Sequence, residues 1–309
     1  MPSLRMPAFA KINLGVRVLG RRPDGYHELR TVYQTIGLHD RLTVELHPRG
    51  SKIEVQADDT LLPTGPENLV YRAAELFLRE TRIRTGVRIY VEKNIPVGRG
   101  LGGGSSDAAV TLLALGRLTG RRLAGKAWLA MAAELGSDVG FFLLGGRALG
   151  IGRGEEVFPL PDLLPTPCLI VSPDLSIPTA EAYRWLSLRL TSRAAAPIIL
   201  SFCAGCWKAP SPAGWISEDV QNDFEPVVFA RHPQLATIKR QLERQGAQVA
   251  ALTGSGSALF ALFASREKAQ KAARATQRAQ ALVTQTVTRA QYWRRLGIPR
   301  EQLAAASAR

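Results

Sequence analysis

Between Ala8 and Val18 the chain reads AFAKINLGVRV, a run in which apolar and polar positions alternate. Ile12, Leu14, Val16 and Val18 fall on one face, and Lys11, Asn13 and Arg17 on the other. A period of two predicts a half-buried strand that carries Lys11 and Asn13 side by side on its polar face. RPDG at 22–25 has turn composition: Pro23 presets its own dihedral and Gly25 closes the turn. Strand patterning resumes over about 28–36, 41–46 and 52–56, with a hairpin loop at Pro48–Gly50, and again over 87–93. ENLVYRAAELFLRE at 67–80 has helical spacing instead.

The same period predicts helices over 105–120, 123–135, 179–188, 232–246 and 266–285. Ser105 or Ser106 would cap the first of these, with Gly120 just past its end. Short apolar runs predict a strand at 168–173 and two more around a glycine turn within 247–263. Residues 191–215, rich in Pro, Ala and Ser, read as an irregular loop. PLPDLLPTP at 159–167 reads as a connector and divides the chain into domains 1–160 and 161–309. No repeat of solenoid period occurs.

Five of the seven residues from Gly98 to Gly104 are glycine, and Ser105 and Ser106 follow at once. Glycine is costly to order, so this density marks backbone in unusual dihedrals or in close contact with something. The loop lies between a predicted strand and a predicted helix. Unpaired N–H groups at a helix N-terminus favour an anion, which makes phosphate binding the favoured reading. Gly98, Gly100 and Gly103 satisfy G-x-G-x-x-G, but no acidic residue follows within Gly116–Ala124 to hold a dinucleotide ribose. No lysine follows Gly104 as a Walker loop requires, and the protein-kinase catalytic and metal loops are absent. A Cβ placed at Gly103 is expected to block the anion's approach.

ELGSDVGFFLLGG sets Asp138 at the mouth of an apolar run, where a carboxylate is either a helix cap or a functional group. LTGSGSALFAL at 252–262 reads by itself as a tight turn between strands. Cys203 and Cys206 match C-x-x-C but lack a second ligand pair for zinc, and His39, His47 and His232 have no metal-ligand spacing.

Composition adjusts this picture only slightly. With 309 residues and 46 % hydrophobic content, two well-packed domains are affordable. Three cysteines make no disulfide framework, the start has no signal-peptide run, and no stretch of about 18 uncharged apolar residues occurs. These features predict a cytoplasmic protein without a membrane partner. Of the net charge of +14, residues 266–309 carry +8, ten Lys/Arg against Glu267 and Glu301. That tail reads as a solvated helix face, and its removal from about Ala290 onward is expected to spare activity. The remaining charge suits a protein that handles anionic metabolites, with no nucleic acid as principal partner.

Taken in order, AKINLGV, DGYHEL, PVGRGLGGGSSDAA, GSDVGFFLLGG, ALGIGRGEE, NDFE and LTGSGSALF resemble the GHMP small-molecule kinases, from about Arg5 to Phe263. Arg99 stands in the loop where a small residue is commoner, and Gly140 where proline is frequent. The resemblance implies an α+β fold of two domains, a ribosomal-protein-like N-terminal sandwich and a ferredoxin-like C-terminal domain, with the active site in the cleft between them. It implies ATP and Mg²⁺, the nucleotide held by Pro96, Gly98, Gly100, Gly102, Gly103, Gly104, Ser105 and Ser106, with either serine near the metal. Lys11 and Asp138 would be the catalytic pair, oriented by Asn13. AKINLGV with DGYHEL points, by the same resemblance, to a cytidine-diphosphate-linked methylerythritol as the small-molecule substrate. Tyr26 and Tyr183 would then sandwich its base and His27 would bond the base edge. Homoserine- or mevalonate-type kinases are the alternative within the family, and an RNA-binding protein using the basic tail is the alternative outside it.

Overall fold

The computed structural model describes residues 2–47, 50–60, 62–187, 220–276 and 279–298. Its frame is a pair of long strands, β1 (Ser3–Arg21) and β2 (His27–His47), antiparallel from Ser3 opposite Glu45 to Arg21 opposite His27. The RPDG turn joins them, with Gly25 left-handed at φ +85°. Two strands were expected where β2 runs unbroken through residues 37–40. The chain stays extended there because Asp40, fully buried, is held by donors from outside the strand.

Around this ribbon the first sheet adds β3 (Ile53–Ala57), β4 (Gly86–Glu92), β5 (Arg147–Ile151) and β6 (Glu156–Pro159), in the order β3–β4–β2–β5–β6 with β1 on β2. Helices α1 (Leu69–Thr81), α2 (Gly103–Thr119), α3 (Gly125–Leu135) and α4 (Val139–Phe142) supply the rest of its core, where Phe77, Leu112 and Phe141 meet Leu42, Val44 and Ile89. The second sheet is antiparallel in the order β10–β7–β9–β8, built from β7 (Pro167–Pro173), β8 (Val249–Leu252), β9 (Leu259–Leu262) and β10 (Ala279–Gln285). Helices α7 (Pro233–Arg244) and α8 (Arg266–Ala275) pack on one face of it, against Leu169, Val171 and Ala261. Helices α5 (Thr179–Ser187) and α6 (Glu225–Arg231) join Val16 and Val18 of β1 in a further cluster.

The other face of the second sheet, through Ile170, Phe260 and Leu262, packs on Ala10, Ile12, Leu14 and Ile36 of the ribbon. The alternation in β1 is therefore real, but its polar face is not solvated. Lys11 and Asn13 are each only 4 % exposed. That is the difference between a strand read alone and one at the junction of two sheets.

Two further expectations are corrected. The predicted helix over 266–285 stops at Ala275, and Ala279–Gln285 pairs with β7 as a strand, its β-branched Val283 and Thr284 half-buried. The basic tail is not simply a solvated face: α9 (Arg289–Leu296) returns to the first core, where Tyr292, Trp293 and Leu296 are buried. Burying such side chains contributes on the order of 1.5–3 kcal/mol each, so removing residues from Ala290 onward would strip a wall of the core. Loop 191–215, with Cys203 and Cys206, lies outside the described residues. Among the described residues no helix is long and apolar enough to cross a membrane.

Candidate active site

Lys11 projects from β1 into the junction, where its ammonium needs partners because water is excluded. Nζ donates to Asn13 Oδ1 at 2.6 Å and lies 3.3 Å from Asp138 Oδ2. Asn13 is fixed in turn by donating through Nδ2 to Thr31 Oγ1 at 2.7 Å. Asp138 stands at the N-cap position of α4, yet its side chain makes no capping bond. Its Oδ1 accepts from Tyr33 OH at 2.8 Å instead. The cap reading is thereby set aside. Burial first, then the neighbouring carboxylate, pushes the Tyr33 phenol well above its ordinary pKa, so it stays a donor.

These groups floor a cleft of about 660 Å³ that also reaches Tyr26, His27 and Tyr183. The three sit together, but not as an open sandwich. The His27 ring stacks on Tyr183 at 4.8 Å between centroids, and Phe224 meets Tyr183 edge-on at 4.9 Å. His27 is also tied through Nε2 to Ser187 Oγ at 2.8 Å. Burial, and then Arg21, lowers its pKa and keeps the imidazole neutral at pH 7. Tyr26 is exposed, with the Arg153 guanidinium 4.7 Å above its ring.

Two glycine turns meet beside Lys11. Leu101 O accepts from Lys11 N at 3.0 Å and Arg99 O from Ala258 N at 3.2 Å, which fastens the 98–104 loop to β1 and to the turn after β8. Thr253 bridges them, accepting from Asn13 N and donating to Gly100 O, each at 3.2 Å. Gly98, Gly100 and Gly102 are all left-handed, at φ +69°, +80° and +73°. A Cβ at Gly100 would overlap the Thr253 carbonyl, and one at Gly102 would lie 2.9 Å from the Phe142 ring. At Gly103 it would meet Ile95 at 3.2 Å and the Lys93 ammonium at 3.3 Å. What comes close to this loop is in the first place the protein itself. A substitution at Gly103 therefore disturbs packing before it obstructs an anion, contrary to the expectation from sequence.

Gly102 is the N-cap of α2, so Ser105 and Ser106 lie inside the first turn rather than at the cap. The N–H groups of Gly103, Gly104 and Ser105 have no carbonyl four residues back within the helix, which leaves them for an anion. The Ser106 hydroxyl is buried without a hydrogen-bond partner. Arg99 leans from the loop toward Asp174, 3.5 Å away, and lines a second cleft of about 580 Å³ together with Asn94, Pro96 and Val97.

Sequence reasoning did not single out Tyr33, Thr31 or Thr253, nor the buried ions that root the loop. Lys93 pairs with Asp40 and, at 2.8 Å, with Asp107. Asp40 also accepts from Asn94 N and Ile95 N at 2.5 and 2.8 Å. An acid interrupting an apolar strand, as in LHDRLTVEL, was the available signal.

A left-handed glycine loop leading into a helix, beside a buried lysine paired with a half-buried aspartate, fits a small-molecule kinase of the GHMP type, and the comparisons agree. The GHMP kinases N terminal domain matches residues 68–146 and the GHMP kinases C terminal domain residues 211–281. The chain belongs to the GHMP kinases. Within them it is 48 % identical over 263 residues to the 4-diphosphocytidyl-2-C-methyl-D-erythritol kinase of Solibacter usitatus, covering 84 % of this chain and 81 % of that one. A crystal structure of 4-(cytidine 5'-diphospho)-2C-methyl-D-erythritol kinase is 37 % identical, covers 92 % of this chain and 99 % of its own, and superposes with a TM-score of 0.75. The homoserine kinase of Cytophaga hutchinsonii, 22 % identical over 93 % of this chain and 95 % of its own, shares the fold at a TM-score of 0.72.

Burial, against the pull of Lys93 and with the push of Asp40, raises the Asp107 carboxyl to about 7. In the unfolded chain it releases its proton near pH 4, so the folded chain binds the extra proton in between. The contribution of this group to stability is therefore lost as pH rises from about 4 to 7. Asp107→Asn has no such proton to lose. Its stability relative to wild type, from urea melts, should improve steadily across that window; a constant or falling difference contradicts the assignment.

Proposed function

We propose that the protein transfers the γ-phosphoryl group of ATP to the 2-hydroxyl of 4-diphosphocytidyl-2-C-methyl-D-erythritol, a step in isoprenoid precursor biosynthesis. The observation that carries this reading is the Lys11–Asp138 pair, 3.3 Å apart on the floor of a cleft walled by Tyr26, His27 and Tyr183. Relatives with that name, 48 % and 41 % identical, support the choice of acceptor over homoserine or mevalonate. No comparison favours an RNA-binding role. Residues 1–160 and 161–309 are taken as the two kinase domains, working in the cytoplasm, with Arg289–Leu296 of the second returning to pack in the core of the first.

The nucleoside of ATP would occupy the second cleft, at Asn94, Pro96 and Val97, with its phosphates over the glycine loop. There the free N–H groups of Gly103, Gly104 and Ser105 meet them at the α2 N-terminus. Among the described residues no group of three or more His, Cys, Asp or Glu could hold a metal, so Mg²⁺ would be held chiefly by the phosphates. The unpartnered Ser106 hydroxyl fits that role as the one protein ligand at the loop. Bound there, Mg²⁺ neutralises phosphate charge. Asp138 accepts the proton of the acceptor hydroxyl, while Lys11 stabilises the charge on the transferring group. Asn13 holds the Lys11 ammonium in place. For the base, a neutral His27 offers one ring nitrogen, as donor or acceptor according to its tautomer, to the edge of cytosine. Tyr183 offers a stacking face once His27 swings from it, and Tyr26 offers the other.

Asp138→Asn should lower kcat on the order of 10²-fold or more and leave ATP binding intact. Lys11→Met should behave alike, and the double variant should cost less than the product of the two. Steady-state kinetics near wild type in a folded Asp138→Asn enzyme would sink the pair. Separately, Tyr183→Ala should raise KM for the cytidylyl substrate and spare that for ATP; two unchanged Michaelis constants would make Tyr183 a core residue only.

A further inference from the structure

Helix α9 lies far along the chain from Asp138 but spends its polar side chains on the segment that Asp138 begins. Tyr292 OH donates to Phe142 O at 2.5 Å, Trp293 Nε1 to Leu144 O at 3.1 Å, and Arg289 Nε to Gly145 O at 3.2 Å. Other Arg289 nitrogens reach the carbonyls of Arg147 and Leu160, on either side of the β5–β6 hairpin. The carbonyls of Gly140 and Phe141 accept from Leu143, Leu144 and Gly145 N, but those of Phe142, Leu144 and Gly145 are left for donors from outside the segment. Those donors come from α9.

The fit is close enough to dictate sequence. Gly145 and Gly146 are left-handed, at φ +66° and +72°. A Cβ at Gly145 would run into the Tyr292 ring, and one at Gly146 would lie 2.7 Å from Arg289 Cβ. The double glycine that ends GFFLLGG is therefore the room that α9 needs. Helix α9 is itself well anchored, with a Thr288–Gln291 capping box at its start and a left-handed Gly297 at its end. The same region also braces β2: Thr35 N donates to Gly146 O at 2.9 Å, and Gln34 Nε2 to Val287 O at 3.0 Å. These are the neighbours of Tyr33, which holds the other oxygen of Asp138. Both supports of the carboxylate, α4 and Tyr33, thus run back to one C-terminal segment.

We propose that Tyr292 and Arg289 are positioning residues for Asp138, fixing through the last carbonyl of α4, at Phe142, and that of Gly145 just beyond it the place at which the helix presents the carboxylate. Neither lines the cleft or touches substrate. The proposal rests on the reading of Asp138 as the proton acceptor, and a mutant cycle separates the two. Tyr292→Phe keeps the ring in its packing and removes only the hydroxyl. In the full chain it should lower kcat by about three- to tenfold with both KM values unchanged, the effect of a slightly misplaced group. In the Asp138→Asn background it should lower the residual rate no further. Arg289→Lys, run through the same cycle, supplies the answer if Tyr292→Phe does not fold. A wild-type kcat in the single variant, or equal losses in both backgrounds, would overturn the proposal and leave the role of Asp138 standing. A wild-type rate in Asp138→Asn alone would remove the reading beneath it.

Discussion

One ammonium group taken out of water at the junction of two sheets organises much of this molecule. A buried charge is tolerated only when it is paired and its remaining protons are bonded. Lys11 is satisfied by Asn13 and Asp138, and each of these is then held by a partner of its own. Thr31 and Tyr33 of β2 take Asn13 and Asp138, and Thr253 of the second sheet's glycine turn meets Asn13. Meeting the needs of one side chain thus joins the first sheet, α4 and the second sheet at a single point. That point opens onto the cleft, so the group that is hardest to bury is also the one best placed to act.

The glycine loop follows from the same crowding. Some of its carbonyls are already engaged by β1 and by the turn at Ala258, and Gly100 and Gly102 pass where side chains would strike Thr253 or Phe142. Lys93, between Asp40 and Asp107, roots it from below. On the proposed reading, a phosphate arriving at α2 would meet N–H groups whose positions the protein has fixed beforehand. In phosphoryl transfer, positioning and charge stabilisation do most of the work, and a loop fixed in this way has little left to reorganise.

The parts of this arrangement that were legible in sequence are those with a local signature. The period of two in AKINLGV placed Lys11 and Asn13 on one face, and the glycine density marked the left-handed loop at 98–104. Contacts from distant parts of the chain left weaker traces. Nothing local says that the glycine loop, α4 and the turn after β8 close over the polar face of β1, which is why Lys11 is buried rather than half-exposed. Ala279–Gln285 carries mixed periodicity, and only pairing with β7 makes it a strand. Tyr33 looks like one more strand aromatic until Asp138 is folded against its hydroxyl. The glycines at 145 and 146 gain their meaning from a helix that arrives some 140 residues later.

The central claim is that this junction transfers phosphate to one kind of alcohol. Its most direct test is a turnover assay of the purified chain with ATP and Mg²⁺, offering 4-diphosphocytidyl-2-C-methyl-D-erythritol, homoserine and mevalonate in parallel, with products read by ³¹P NMR. The account predicts turnover of the cytidylyl alcohol alone, with a new phosphomonoester resonance from its 2-hydroxyl. Comparable or faster phosphorylation of homoserine or mevalonate, or no transfer to the cytidylyl alcohol, would contradict it.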